Sequence, residues 1–148
     1  MAIDCVLLAG RIMMESGAET YRVEDTMLRM ARSQNLGDPQ SYVTPTGIIF
    51  SLGRTQPTRV TSIKTRITDL HKITLVNNVS RKLTSQIITL EQAYDELKNI
   101  ESTNYFLPIF IQVLAASIAG SCFLVLLYDG WSNAPAAFVA GGIGIYVV

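Results

Sequence analysis

The chain has 148 residues, of which 12 are basic and 12 acidic, and its net charge at pH 7 is zero. This balance gives no basic stripe, so we expect no nucleic-acid partner. The last basic residue in the sequence is Lys98. After Glu101 the chain contains one further charged residue, Asp129. With one histidine, no CxxC and two cysteines, Cys5 and Cys122, the sequence predicts no metal, no cofactor and no disulfide, but two buried free thiols.

Two amphipathic helices are predicted first, over residues 4–15 and from the following break to residue 34. Gly17 is expected to end the first helix in the left-handed conformation, and Ser16 with Glu19 matches a capping box for the second. Asp25 and Arg29 have the i,i+4 spacing of an ion pair. The apolar face of the second helix is predicted to consist of Val23, Met27, Met30 and Ala31.

A β section follows. Three runs rich in β-branched residues, at residues 41–44, 47–53 and 58–67, are separated by turn residues at Pro45 and at residues 54–57. We therefore expect three strands joined by short turns.

Two further helices are predicted after the strands. Asp69 is a suitable N-cap for a helix that reaches residue 86, and Thr89 with Gln92 matches a capping box for the fourth helix. The third helix is expected to bury Ile73, Val76, Leu83 and Ile87. The fourth helix is expected to bury one face, formed by Leu90, Ala93, Tyr94, Leu97 and Ile100. The order ααβββαα predicts an α+β domain over residues 1–103.

The most apolar stretch, residues 107–128, has the length of a membrane span. Its 22 residues form a helix of about 33 Å, against a hydrocarbon core of about 30 Å. Its polar interruptions are Gln112, Ser117 and Ser121. We therefore predict a first transmembrane helix over residues 104–128, in contact with the lipid bilayer. The alternative is a core helix of a large soluble domain.

A short loop, residues 129–135, leads to a second apolar run at residues 136–148. This run reaches only about 20 Å, so we expect the truncated start of a second transmembrane helix. A short interfacial or re-entrant tail is the alternative. Pairs of small residues predict close helix packing: Ala116 with Gly120, Ala137 with Gly141, and Ala140 with Gly144. Because the basic residues precede the span and no export signal is visible, residues 1–103 are predicted to be cytoplasmic.

Four segments resemble one transporter family. Residues 16–26 (SGAETYRVEDT), 42–47 (YVTPTG), 65–70 (TRITDL) and the YDGW turn at 128–131 are similar to segments of the threonine/serine exporter (ThrE-type) family, which includes two-component succinate exporters. The resemblance implies a multi-pass protein of the cell membrane with a cytoplasmic N-terminal domain. It also implies export of threonine, serine or a dicarboxylate by the proton-motive force. In the two-component branch it implies a second, smaller membrane subunit.

Seven polar residues are candidates for contact with the cargo or for gating: Glu19, Arg22, Asp25, Thr44, Thr46, Arg66 and Asp69. Arg22 can bind a carboxylate through two nitrogens, beside Glu19 at a cytoplasmic mouth. The alternative for both is capping and solvation of a helix start. Thr44 and Thr46 either line an entrance near Arg66 and Asp69 or bond the local backbone of their turn.

The sequence does not indicate an enzyme. Ser16 as the nucleophile of a membrane-tethered hydrolase lacks a GxSxG turn, and His71 is far away in the sequence. A membrane-anchored cytoplasmic sensor or interaction domain remains the alternative function.

Overall fold

The computed structural model of the protein describes residues 1–53, 57–103, 108–128 and 134–147. The chain divides into two compact units, Met1–Asn104 and Tyr105–Val148. Over the described residues the architecture is α+β, with six helices and one three-stranded sheet. The predicted α+β class is therefore confirmed.

Four helices belong to the first unit: α1 (Ala2–Glu15), α2 (Thr20–Ser33), α3 (Leu70–Thr84) and α4 (Leu90–Ser102). Two of the predicted caps are confirmed. The N–H of Lys72 donates to the carboxylate of Asp69 at 3.0 Å at the start of α3. Thr89 and Gln92 form a capping box at the start of α4. Local side-chain chemistry therefore determines where both helices begin.

The predicted capping box of Ser16 and Glu19 is wrong. Ser16 is the residue after α1, and its N–H donates to the carbonyl of Ile12 at 3.0 Å, so it completes the end of the first helix. Glu19 does precede α2, but its side chain makes no capping bond. The reason is that α2 begins at Thr20, so Glu19 takes the N-cap position itself and not the third helical position that a capping box needs.

The three strands are β1 (Gln40–Thr44), β2 (Gly47–Ser51) and β3 (Arg59–Ser62), paired antiparallel in the order β1-β2-β3. The prediction of a third strand over residues 58–67 is too long. After Ser62 the chain leaves the sheet, and the N–H of Ile67 bonds to the α1–α2 loop instead of a strand. Of the predicted turn at residues 54–57, residues 54–56 lie outside the described residues.

The core of the first unit lies between the inner face of the sheet and the helices. Ile48 and Phe50 of β2 point into it, and the predicted apolar face of α2 is buried as expected. Its largest fully buried side chains include Met13, Met14, Met27, Met30, Ile48, Phe50, Leu83 and Leu97.

Ile87 corrects the prediction for α3, because its side chain is 73% exposed. The helix ends at Thr84, and Gln86 adopts a positive φ of 57° that turns the chain away from the helical path. The helical period therefore stops one turn before Ile87. The other three residues predicted to lie inward, Ile73, Val76 and Leu83, are buried.

The second unit contains α5 (Ile109–Tyr128) and α6 (Ala134–Val147). Among the described helices, one is long and apolar enough to cross a membrane, and only 6% of its most apolar part, within Ile109–Leu127, is buried. That exposure argues against a soluble core helix, in which such a surface would be covered by protein. The predicted YDGW turn lies for the most part outside the described residues.

Small residues bring α5 and α6 together. A Cβ atom added to Gly141 would lie 2.9 Å from the carbonyl oxygen of Ala116, and one on Gly120 would lie 3.5 Å from that of Ala137. Two of the predicted small-residue pairs therefore lie in this contact. Gly144 does not, because nothing lies within 4 Å of a Cβ atom at that position.

The two cysteines are both free, but they differ in exposure. Cys5 is buried in α1, whereas Cys122 is exposed on α5, so the prediction of two buried thiols is wrong for Cys122. Cys122 lies on the exposed apolar surface of α5, which a bilayer or further helices would cover.

Candidate functional site

Three segments that are distant in the sequence meet in the first unit. They are the end of α1 with the α1–α2 loop (residues 15–19), the β1–β2 turn (residues 44–47) and the linker from β3 to α3 (residues 63–69). We call this arrangement the loop cluster. It contains five of the seven candidate residues: Glu19, Thr44, Thr46, Arg66 and Asp69.

The linker is bonded to carbonyl groups that α1 leaves unpaired at its C-terminus. The N–H of Ile67 donates to the carbonyl of Glu15 at 2.8 Å, and the N–H of Asp69 donates to the carbonyl of Ser16 at 3.0 Å. The guanidinium Nη2 of Arg66 donates to the carbonyl of Ala18 at 2.9 Å. These bonds hold the linker along the loop.

Gly17 is required by its backbone conformation. Its φ of +85° lies in the left-handed region, whereas a Cβ atom there would make only an ordinary van der Waals contact, at 3.4 Å from the Cα of Thr68. A side chain at this position would therefore strain the backbone by about 1–2 kcal/mol. The prediction that Gly17 ends α1 in this conformation is confirmed.

The β1–β2 turn joins the loop cluster from the sheet. The hydroxyl of Thr44 donates to the carbonyl of Gly47 at 3.1 Å and lies 3.4 Å from the hydroxyl of Thr46. The carbonyl of Thr46 accepts the N–H of Ile63 at 2.9 Å. Thr44 therefore stabilises its own turn, while the side chain of Thr46 is exposed.

Glu24 is a connecting residue that the candidate set omits. Its half-buried carboxylate accepts the N–H of Val43 at 2.8 Å and so joins α2 to the edge strand β1. Because β1 is an edge strand, its backbone N–H groups that point away from β2 have no partner within the sheet. Helical periodicity places Glu24 on the polar side of α2, where a contact with the sheet is not expected. The one feature of the sequence that points to a role for Glu24 is its position within the SGAETYRVEDT segment.

Glu19 and Arg22 lie at the start of α2 with exposed side chains. Glu19 accepts a hydrogen bond from Tyr21, and this bond, together with the negative charge, raises the pKa of the Tyr21 phenol. Arg22 takes part in none of the ion pairs that the described residues form. Its guanidinium donors are therefore available to a ligand.

Asp25 is directed away from the loop cluster. It pairs with Arg29 one turn further along α2, as its spacing predicts, and both line a separate groove of about 500 Å³ that reaches Thr84. Asp69 is in the cluster, but its carboxylate caps α3. Among the described residues, no group of three or more His, Cys, Asp or Glu side chains is placed to hold a metal ion.

Comparison with known proteins assigns the chain to a family. The profile of a family described as "Putative threonine/serine exporter" (ThrE) matches residues 4–148. The chain belongs to the ThrE family. The loop cluster brings together parts of three of the four segments that resemble this family in the sequence, at residues 16–26, 42–47 and 65–70. An exporter family implies a transport protein and a membrane location.

Two curated relatives extend the comparison. This ThrE chain is 21% identical over 149 residues to "Probable succinate transporter subunit YjjP" of Klebsiella aerogenes. The aligned region covers 99% of this chain and 55% of that protein. It is 25% identical over 145 residues to "Probable threonine/serine exporter" of Mycobacterium tuberculosis. That aligned region covers 95% of this chain and 27% of the relative. The chain thus spans about half of the first relative and about a quarter of the second. No solved structure matches it.

Proposed function

We propose that this ThrE chain forms part of a secondary exporter for threonine, serine or a related small carboxylate such as succinate. The observation that carries the proposal is the family match over residues 4–148, which includes both units. The exposure of α5 supports it, because a long apolar helix surface needs lipid or further helices to cover it. In this proposal residues 1–103 are cytoplasmic, and the rest of the relatives' length supplies further spans of a multi-pass protein.

A second membrane subunit is part of the proposal. The Klebsiella aerogenes relative is named a transporter subunit, which supports assembly of this chain with another component. The close contact between Gly141 and Ala116 supports a bundle of tightly packed helices.

The cargo is proposed to meet Glu19 and Arg22 at a cytoplasmic mouth, next to Thr46 and Arg66. The exposed guanidinium of Arg22 is suited to a carboxylate, which all of these cargoes carry. The carboxylate of Glu19 is suited to the ammonium group of threonine or serine and repels a second carboxylate. Thr44 and Asp69, whose side chains have local partners, are proposed to act by holding this mouth in place. Asp25, which pairs with Arg29 in a separate groove, is proposed to act in gating away from the mouth.

The test is export by the full-length protein in cells that lack it, with and without the second subunit. We expect restored efflux of threonine, serine or succinate, and a fall of about tenfold or more in Arg22→Gln, the effect of losing a hydrogen bond to a charged group. Arg32→Gln is the matched control, because Arg32 is an exposed arginine in the last turn of the same helix. Glu19→Gln should reduce export of the amino acids and spare succinate.

Unchanged efflux on deletion of the gene, or equal losses in Arg22→Gln and Arg32→Gln, would count against this proposal. The alternative is a membrane-anchored cytoplasmic sensor or interaction domain, which the separate core of the first unit favours. Ligand binding without any transport by the full-length protein would decide for that alternative.

A further inference from the structure

A groove between α1, β3 and α4 carries positive charge that the loop cluster does not use. Its volume is about 290 Å³, near the lower end of the roughly 300–1,000 Å³ of small-molecule pockets. Three basic side chains line it, Arg11, Arg59 and Lys98, together with one acid, Asp4. None of its lining residues belongs to the loop cluster.

The position of Arg59 follows from the edge of the sheet. Arg59 is opposite Phe50 in the pairing of β3 with β2, so it lies on the same face of the sheet as that buried ring. Because β3 pairs on one side only, the side chain of Arg59 reaches solvent at the edge of the sheet. An inward-pointing charge on an edge strand can also serve to prevent pairing with another chain, which is the competing explanation for Arg59.

The other cations of the groove share one counter-charge. Arg11 bonds to the carboxylate of Glu101, and the Nζ of Lys98 lies 3.6 Å from the other oxygen of the same carboxylate. Arg59 takes part in none of the ion pairs formed by the described residues. A hydrogen bond from the amino group of Met1 and, to a smaller extent, the charge of Arg59 lower the pKa of Asp4. The groove therefore has an excess of positive charge.

The positive charges of the groove come from different elements. Arg59 comes from the sheet, whereas Arg11 and Lys98 come from the two helices, and Leu7 and Tyr94 are also among the lining residues. The Nζ of Lys98 lies 5.9 Å from the centre of the Tyr94 ring. This arrangement suits a ligand with two separated negative groups joined by a short hydrocarbon chain.

We propose that this groove is a binding site for a small dicarboxylate, separate from the loop cluster. One carboxylate is bound by the guanidinium of Arg59 in the two-nitrogen geometry that arginine favours, and the other lies near Arg11 and Lys98. The carbon chain contacts Leu7 and Tyr94. The site does not depend on the proposed export, since a sensor or an exporter can equally carry it.

The experiment is calorimetric titration of the 148-residue chain in lipid nanodiscs with sodium succinate, and with acetate at the same ionic strength. We expect saturable binding of succinate and at least about tenfold weaker binding of acetate, because acetate lacks the second charge-assisted contact. Arg59→Gln should weaken succinate binding by about tenfold or more, and Arg59→Lys by less. Asp4→Asn should strengthen it by roughly two- to fivefold, because a repelling carboxylate is removed.

Arg81→Gln is the matched control, since it removes an exposed arginine from the last turn of α3, outside the groove, and should leave succinate binding unchanged. The proposal is overturned if succinate does not saturate, if acetate binds equally well, or if folded Arg59→Gln binds succinate as wild type does. The opposite sign expected for Asp4→Asn keeps the test decisive if Arg59→Gln fails to fold. The binding assay involves no transport, so a failure of the export proposal leaves its result intact.

Discussion

The guanidinium of Arg66 donates to the carbonyl of Ala18 at 2.9 Å, across 48 residues of sequence. This bond and the backbone bond from Ile67 to Glu15 join the linker before α3 to the loop after α1. Two segments of the ThrE resemblance, SGAETYRVEDT and TRITDL, are therefore parts of one structure. Their shared role in the fold is to set the start of α2 relative to the start of α3.

Arg66→Gln is expected to loosen the linker locally. Because Arg66 is exposed, water can replace the lost donor, and the free energy of unfolding should fall by only about 0.5–1.5 kcal/mol. The N–H groups of Ile67 and Asp69 should exchange with solvent faster, which hydrogen–deuterium exchange measures. Arg81→Gln, which removes an exposed arginine with no such contact, should leave both rates unchanged. Equal rates in wild type and Arg66→Gln would contradict the prediction.

Gly10→Ala is expected to destabilise the first unit. A Cβ atom at Gly10 would overlap the Sδ of Met27, and because the Met27 side chain is fully buried, it must shift against its core neighbours. Overpacking of this kind costs about 1–3 kcal/mol, and the helix propensity of alanine offsets roughly 1 kcal/mol of it, so the free energy of unfolding should fall by up to about 2 kcal/mol. Thermal unfolding measures the difference.

The control for Gly10→Ala is Gly144→Ala, because nothing lies within 4 Å of a Cβ atom at Gly144. In combination with Met27→Ala, which removes the clashing sulfur, Gly10→Ala should cost less than it does alone. A double variant whose loss equals the sum of the two single losses would show that the two residues do not contact each other as described.

Gly141→Ala is expected to weaken the contact between α5 and α6. The added Cβ atom would lie 2.9 Å from the carbonyl oxygen of Ala116 and 3.2 Å from the Cα of Ser117, and these are backbone atoms that cannot rotate away. The measurement is unfolding of the protein in nanodiscs by SDS, monitored through the fluorescence of its single tryptophan. The midpoint should lie at a lower SDS concentration than in wild type. Gly144→Ala on the same helix should behave as wild type. Identical transitions in the two variants would speak against this helix contact.

Cys5 is expected to make the first unit less stable at high pH. Burial raises the pKa of the Cys5 thiol from the ordinary 9.0 to about 11, so the folded state holds this proton more tightly than the unfolded state. The free energy of unfolding is therefore unaffected below about pH 9 and falls by roughly 2–3 kcal/mol as the pH rises to 11.

The measurement for Cys5 compares chemical unfolding of a Cys122→Ala protein with that of Cys5→Ala/Cys122→Ala at several pH values. The difference in pH dependence isolates the thiol from the lysines and tyrosines that titrate in the same range. Alkylation at pH 8 should also fail to label Cys5 in the folded protein. Parallel pH profiles of the two proteins, or rapid labelling, would contradict the burial of this thiol.

Features that depend on near neighbours in the sequence could be predicted. The buried face of α2 follows from the helical period, and the caps formed by Asp69 and Thr89 follow from side chains three residues before their partners. The length and composition of α5 are likewise a property of one continuous stretch. Each of these features depends on residues only a few positions apart, so the local sequence pattern was sufficient to predict it.

One failed prediction was decided by a distant contact. The third strand ends at Ser62, and the residues that follow it bond to the end of α1 and to Ser16, about 50 positions earlier in the chain. Local strand propensity was compatible with a longer strand, and the packing of the whole unit overrode it. The other two failures depend on where a helix ends: the N–H of Ser16 bonds to the carbonyl of Ile12, and the chain turns at Gln86 and leaves Ile87 exposed.

The sequence by itself determined the helices, the apolar span and the resemblance to the ThrE family, since these depend on composition and short-range spacing. Only the tertiary structure decided that Arg66 meets Ala18, that Glu24 bonds to Val43, and that Arg59 and Lys98 line the same groove. These residues are separated by up to 48 positions in the chain. Their proximity results from the close packing of the shared core, which no local pattern encodes.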